Sequence, residues 1–160
     1  MLTVVAALFA IAGIAWAFGP ENPEEAMQRG WARAQAGHFE AAARDFSEVL
    51  RTHPRAANAR LLRGCCLAGL GRPEAAIADF NECLLLNGDN AAAWHDRGLA
   101  YQALGDWKQA AHDFDMALQL NPNLARTRAA LNHIKSEGND RKSDLADSVD
   151  FTPSSKPESL

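Results

Sequence analysis

A chain of 160 residues with a formal net charge of −4 offers no electrostatic hold on a phosphate backbone, so nucleic acid is excluded as the expected partner. It is 48% apolar and rich in alanine and leucine, which is enough to bury a core and biased towards helix. Its three cysteines, Cys65, Cys66 and Cys83, are odd in number with two adjacent, which is not a disulfide framework. They suit buried core positions, a bridge from Cys83 to one of the other two being the alternative. Neither Cys-x-x-Cys spacing nor clustered histidines accompany them, so no metal is expected; His38, His53, His112 and His133 are scattered.

The first element spans residues 1–18, which carry no charge and a single polar side chain, Thr3. As a helix this run would measure about 27 Å, close to the thickness of a bilayer core. Gly19 and Pro20 then break it. We expect a hydrophobic membrane anchor over 1–19 and a short linker over 20–22. A cleaved secretory signal is the competing reading, because Ala15-Trp16-Ala17 has the small-x-small form of a cleavage site. Against it, no Lys or Arg precedes the apolar run, and Trp16 and Phe18 suit an interfacial belt. The nearest cations, Arg29 and Arg33, tilt the orientation towards a cytoplasmic body, while the cleavage-like site points to export. Ala6, Ala10, Gly13 and Ala17 fall on one stripe, where a partner transmembrane helix could approach closely.

From Pro23 the chain repeats itself. Gly30, Gly64 and Gly98 are 34 residues apart, as are Gly37, Gly71 and Gly105, and Phe46, Phe80 and Phe114. Such a period with helical patterning predicts stacked helical hairpins over 23–56, 57–90 and 91–124. Asn22-Pro23-Glu24-Glu25 is a helix start, with a cap residue, a proline in the first turn and acids at the positive end. In each unit the first glycine and Ala42, Ala76 or Ala110 allow close helix approach, and the second glycine ends the first helix. Pro54 and Pro122 stop the second helices, but the middle unit has Gly88 there. Arg29, Arg63 and Arg97 recur with Asp45, Asp79 and Asp113, which suggests structural Arg–Asp pairs rather than catalytic carboxylates. Residues 125–136 then predict a capping helix closed by Ala130, Leu131 and Ile134, and 137–160 a disordered polar tail.

The third unit resembles the tetratricopeptide repeat closely through Trp94, Gly98, Tyr101, Ala110, Phe114, Ala117 and Pro122. The first unit matches through Gly30, Gly37, Ala42, Phe46 and Pro54, and the second through Gly64, Gly71, Ala76 and Phe80. The resemblance implies an all-α solenoid of three such hairpins plus the capping helix, preceded here by the transmembrane-type helix. It further implies a concave groove lined by the first helices. Carried over by position, its walls are Met27, Trp31 and Gln35, then Asn58, Leu61 and Cys65 with Ala68, then His95, Leu99 and Gln102. Trp31 is the most informative, since Cys65 and Leu99 at the equivalent places show that no large ring is required.

Family members that hold the C-terminal carboxylate of heat-shock chaperones do so with Lys, Asn and Arg side chains. The matching positions here are Met27, Trp31, Leu62, Ala92 and Asp96, which argues against that partner. With no nucleophile–base pairing, phosphate loop or metal constellation, neither an enzyme nor a cofactor is expected. The expected function is a membrane-tethered interaction scaffold or assembly adaptor, whose groove takes an apolar or amphipathic peptide or helix. The alternatives are an exported soluble binding module and a structural accessory subunit of a larger membrane complex.

Overall fold

Local chemistry sets where the helices begin. The Asn22 carboxamide oxygen accepts the Glu24 N–H at 3.1 Å, with Pro23 in the first turn. Asn90 and Asp106 cap later helices in the same way, accepting from Ala93 N–H and Gln109 N–H, each at 3.1 Å. In the computed structural model, which describes residues 22–147 with side chains through Ser136, these starts belong to seven helices and no strand. They are α1 (Pro23–Gln35), α2 (Phe39–Thr52), α3 (Ala57–Gly69), α4 (Pro73–Leu86), α5 (Ala91–Ala103), α6 (Trp107–Leu120) and α7 (Ala125–Asp147).

Each first helix ends in the same left-handed glycine, with φ of 79°, 71° and 77° at Gly37, Gly71 and Gly105. After α1, Gly37 N–H reaches Ala34 O and His38 N–H reaches Arg33 O, the paired bonds of a Schellman turn. The same two bonds recur around Gly71 and Gly105. No atom lies within 4 Å of a Cβ built on these glycines, so backbone conformation alone demands glycine there.

The other glycine series answers to packing. A Cβ on Gly30, Gly64 or Gly98 would stand 2.8, 2.6 or 2.6 Å from Cε1 of Phe46, Phe80 or Phe114. All three rings are fully buried, as are Ala42, Ala76 and Ala110 one turn earlier on the same helices. Helix pairs α1–α2, α3–α4 and α5–α6 thus close into hairpins, and each hairpin packs on the next through α2–α3, α4–α5 and α6–α7. The first helices also touch along the array, α1 to α3 and α3 to α5.

Beside each glycine–phenylalanine contact sits an ion pair within the hairpin. Arg63 grips Asp79 through two nitrogens at 2.7 and 2.6 Å, and Arg97 grips Asp113 at 2.7 and 2.8 Å. In the first hairpin Arg29 and Arg33 share Asp45. The aspartates are buried, Asp113 completely, so these pairs are desolvated on the acid side. Hydrogen bonding to Asp79 and to Asp113 raises the guanidinium pKa of Arg63 and Arg97.

The same arginines also join neighbouring hairpins. Arg63 Nη1 donates to Ser47 Oγ at 3.1 Å, and Arg97 Nη1 to Asn81 Oδ1 at 2.6 Å. Asp115, at the next equivalent position, meets Lys135 of α7 at 3.5 Å. The loops are tied as well: Pro54 O accepts from Arg60, Gly88 O from Trp94 Nε1, and Pro122 O from Arg128. Gly88 therefore leaves the pattern intact, and α4 has 14 residues like α2 and α6. The residue after each of these helices is already extended, at φ −128°, −148° and −140°, so the helix stops with or without proline.

The final helix runs past Ser136 to Asp147, beyond the 125–136 expected for it. The three cysteines are free thiols, Cys66 and Cys83 buried and Cys65 half-buried, so the alternative of a bridge falls. The anchor over 1–18, its stripe of Ala6, Ala10, Gly13 and Ala17, the cleavage-like site and residues 148–160 lie outside the described residues. Among the described residues, no helix is long and apolar enough to cross a membrane.

The packing account predicts that Gly64→Ala destabilises the fold by about 1–3 kcal/mol through overpacking against Phe80. Gly71→Ala costs about 1–2 kcal/mol through its backbone conformation alone. Denaturant unfolding distinguishes them. Adding Phe80→Leu recovers part of the loss in the first variant and none in the second.

Candidate peptide-binding groove

The expected groove lies along α1, α3 and α5, the helices that touch one another along the array. Their buried stripe is small: Ala26 and Gly30, Ala59 and Gly64, Ala93 and Gly98. This stripe is committed to the neighbouring helices, leaving the adjacent helix faces to vary.

The expected wall residues divide into two sets. Trp31 and Leu99 are large apolar side chains left 51% and 43% exposed, with Gln35 and Asn58 exposed beside them. The others are drawn into packing. Met27 lies against Val49 and Phe46, and also lines an open cavity of about 490 Å³ with Pro23, Val49, His53 and Ala56. Leu61 packs on Cys83, Leu84 and Ala93, and Cys65 on Ala76, Phe80 and Ala100. His95 bonds Thr127 Oγ1 through Nδ1 at 2.9 Å and lies 5.7 Å from the Phe114 ring, which ties α5 to α7. Gln102 is half-buried, and its Oε1 is shielded from solvent with no hydrogen-bond partner.

One group in this region carries more weight than its sequence position suggested. The Cys65 thiol donates to Asp96 Oδ2 at 3.3 Å, bridging α3 and α5. Burial, followed by the Asp96 charge, pushes the Cys65 pKa far up, so Cys65 is a neutral donor and not a nucleophile. Burial likewise raises the Asp96 pKa, against the opposing effects of the Cys65 hydrogen bond and the His95 ring. The three recurring buried aspartates all have arginine partners, whereas Asp96 has the thiol and the neighbouring imidazole. Its equivalents are Gln28 and Leu62, so the repeat does not require an acid there. That internal comparison is the sequence signal by which Asp96 could have been singled out.

Models of the tetratricopeptide repeat match residues 27–93 and 91–124. The chain belongs to the tetratricopeptide repeat family. Among solved structures it is similar to the second TPR domain of human RPAP3 bound to an HSP70 peptide, with TM-score 0.66 and 24% identity over 71% of this chain and 98% of that one. It also resembles the TPR2B domain of yeast Sti1 in complex with pHsp70, with TM-score 0.68 and 19% identity over 72% and 97%. The Yersinia enterocolitica secretion chaperone SycD, solved with a peptide of the translocator YopD, gives TM-score 0.68 and 17% identity over 72% and 93%. At these identities the likeness establishes the fold. No curated protein matches the chain significantly. The TPR array is thus a protein–protein interaction module similar in fold to peptide-binding TPR domains.

The linkage sign for Asp96 follows from its raised pKa. Between its ordinary carboxylate value and its raised value, the folded state binds the proton more tightly than the unfolded chain, so stability falls as pH rises through that window. Asp96→Asn should therefore raise the melting temperature at neutral pH, and the gain should vanish below about pH 4. Thermal unfolding at the two pH values checks this, and a less stable variant at neutral pH would contradict the sign.

Proposed function

We propose that this TPR protein is a tethered scaffold whose concave groove holds an apolar or amphipathic segment of a partner protein. The observation that carries this reading is the exposure of Trp31 and Leu99 on the helices that line the groove. Neither is needed by the repeat, since Cys65 occupies the same place in the middle unit. Large exposed apolar side chains suit the apolar face of a helix or an extended apolar peptide.

The chaperone-tail mode has no support in these residues. Met27, Trp31, Leu62 and Ala92 supply no cation, and Asp96 would repel a terminal carboxylate. The RPAP3 and Sti1 domains are relatives in fold, and their chaperone partners are not carried over to this chain.

Tethering rests on the uncharged run 1–18 and on the four residues, Gly19 to Asn22, that separate it from α1. With so short a connection, a retained anchor would hold the groove at the membrane surface.

Two measurements test the proposal. A random peptide library panned over the full chain in mild detergent should enrich sequences rich in Leu, Phe and Trp. The pair Trp31→Ala and Leu99→Asp should lower their capture by at least about tenfold with little change in melting. Collapse of melting would make these residues core, and unchanged capture would move binding off the groove. For the tether, intact mass of the mature chain should retain residues 1–17 in the membrane fraction. A mature chain beginning after Ala17 would favour export.

A further inference from the structure

Resting on that groove reading, we infer that the segment held there carries a basic side chain, Lys or Arg, among its apolar residues, and that Asp96 receives it. Across the inner-face positions of the three hairpins the charged residues are Glu24 and Asp96, both acidic, with no Lys or Arg among them. Glu24 lies exposed at the first turn of α1, whereas Asp96 is half-buried in the middle of the array beside Cys65. Arg126, exposed on α7, stands at the place equivalent to Glu24, not to Asp96.

A half-buried carboxylate is a costly group to keep without a cation. This protein meets the same problem three times elsewhere, and each time it supplies an arginine. At Asp96 it supplies a thiol, a weak donor that leaves most of the acceptor capacity unused. The unused capacity belongs to a carboxylate that meets Cys65 of α3 and stands next to His95 on α5, the helix that also presents Leu99. A guanidinium or ammonium arriving with an apolar segment would complete the pair, and the segment itself would shield that contact from water. The arrangement is the charge inverse of a carboxylate clamp: apolar walls select the segment, and the acid selects its basic residue.

The competing explanation is that Asp96 only holds α3 to α5 through Cys65. Asp96→Asn separates the two, because the amide oxygen still accepts the thiol while the charge is gone. The probe is the pool of peptides enriched from the random library by the full chain in mild detergent. The expected result is that enriched peptides combine Leu, Phe or Trp with a Lys or Arg. Replacing that basic residue by norleucine, or Asp96 by Asn, should each weaken binding at least about tenfold, and the two losses should not add. Asp96→Lys should shift the enriched pool towards acidic peptides.

Lowering the pH to protonate Asp96 should release the basic peptides from the wild type. The Cys65 thiol beside it stays neutral throughout. Release of equal size from Asp96→Asn would count against Asp96 as the receiving group. Apolar peptides without Lys or Arg, bound equally by wild type and Asp96→Asn, would overturn the inference and leave the groove reading standing. Enrichment that survives the Trp31 and Leu99 substitutions, or no enrichment by the wild type, would overturn both.

Discussion

The constraint on which everything else depends is the approach of two helices close enough that a phenylalanine edge occupies the place of a side chain. At Gly64 and Gly98 the missing Cβ would fall 2.6 Å from the ring, well inside contact distance. That approach brings more than two apolar groups together. The residue before each glycine is arginine, and the residue before each phenylalanine is aspartate. Seating Gly64 against Phe80 therefore also seats Arg63 against Asp79, with nitrogen–oxygen distances of 2.6 and 2.7 Å. The apolar contact excludes water and the ion pair fixes the register of the hairpin. From the same guanidinium a further nitrogen reaches Ser47 in the hairpin before, so one residue serves both closure and stacking.

Once these positions are occupied by the fold, the remaining positions on the first helices are free to differ between units. They do differ: Trp31, Cys65 and Leu99 share one place, and Gln28, Leu62 and Asp96 another. A helical array whose structural positions repeat and whose inner face does not is organised as a scaffold for recognition. The two buried-acid environments make the distinction physical. Asp113 is wholly buried and fully answered by Arg97, and so belongs to the fold. Asp96 is half-buried, and among the described residues a thiol donates to it, while burial raises its pKa. Strained or undersatisfied groups tend to be retained where function uses them.

Much of this was legible in the sequence, because the repeat acts as its own alignment. Six of the seven described helices, their hairpin pairing and the glycine turns follow from residues 34 apart. The role of Pro54 and Pro122 as helix stops was read too strongly. Gly88 ends α4 at the same point, because the extended residue after the helix and the capped loop carbonyl are shared by all three units. Groove positions were the least legible. Leu61 and Cys65 share a helical face with exposed neighbours, yet each packs against the next hairpin, and one helix cannot reveal what its neighbour covers.

What the sequence determined by itself is the set of interactions that recur at short range: helix caps, left-handed turns, and the glycine–phenylalanine and Arg–Asp pairings 16 residues apart. These depend on local geometry that one period contains. Tertiary structure alone decided which of the non-repeating side chains meet. Cys65 and Asp96 are 31 residues apart and Thr127 and His95 are 32, separations that match no element of the repeat. Those contacts depend on the angle at which one hairpin stacks on the next, which is the sum of many packing contacts and is carried by no single motif.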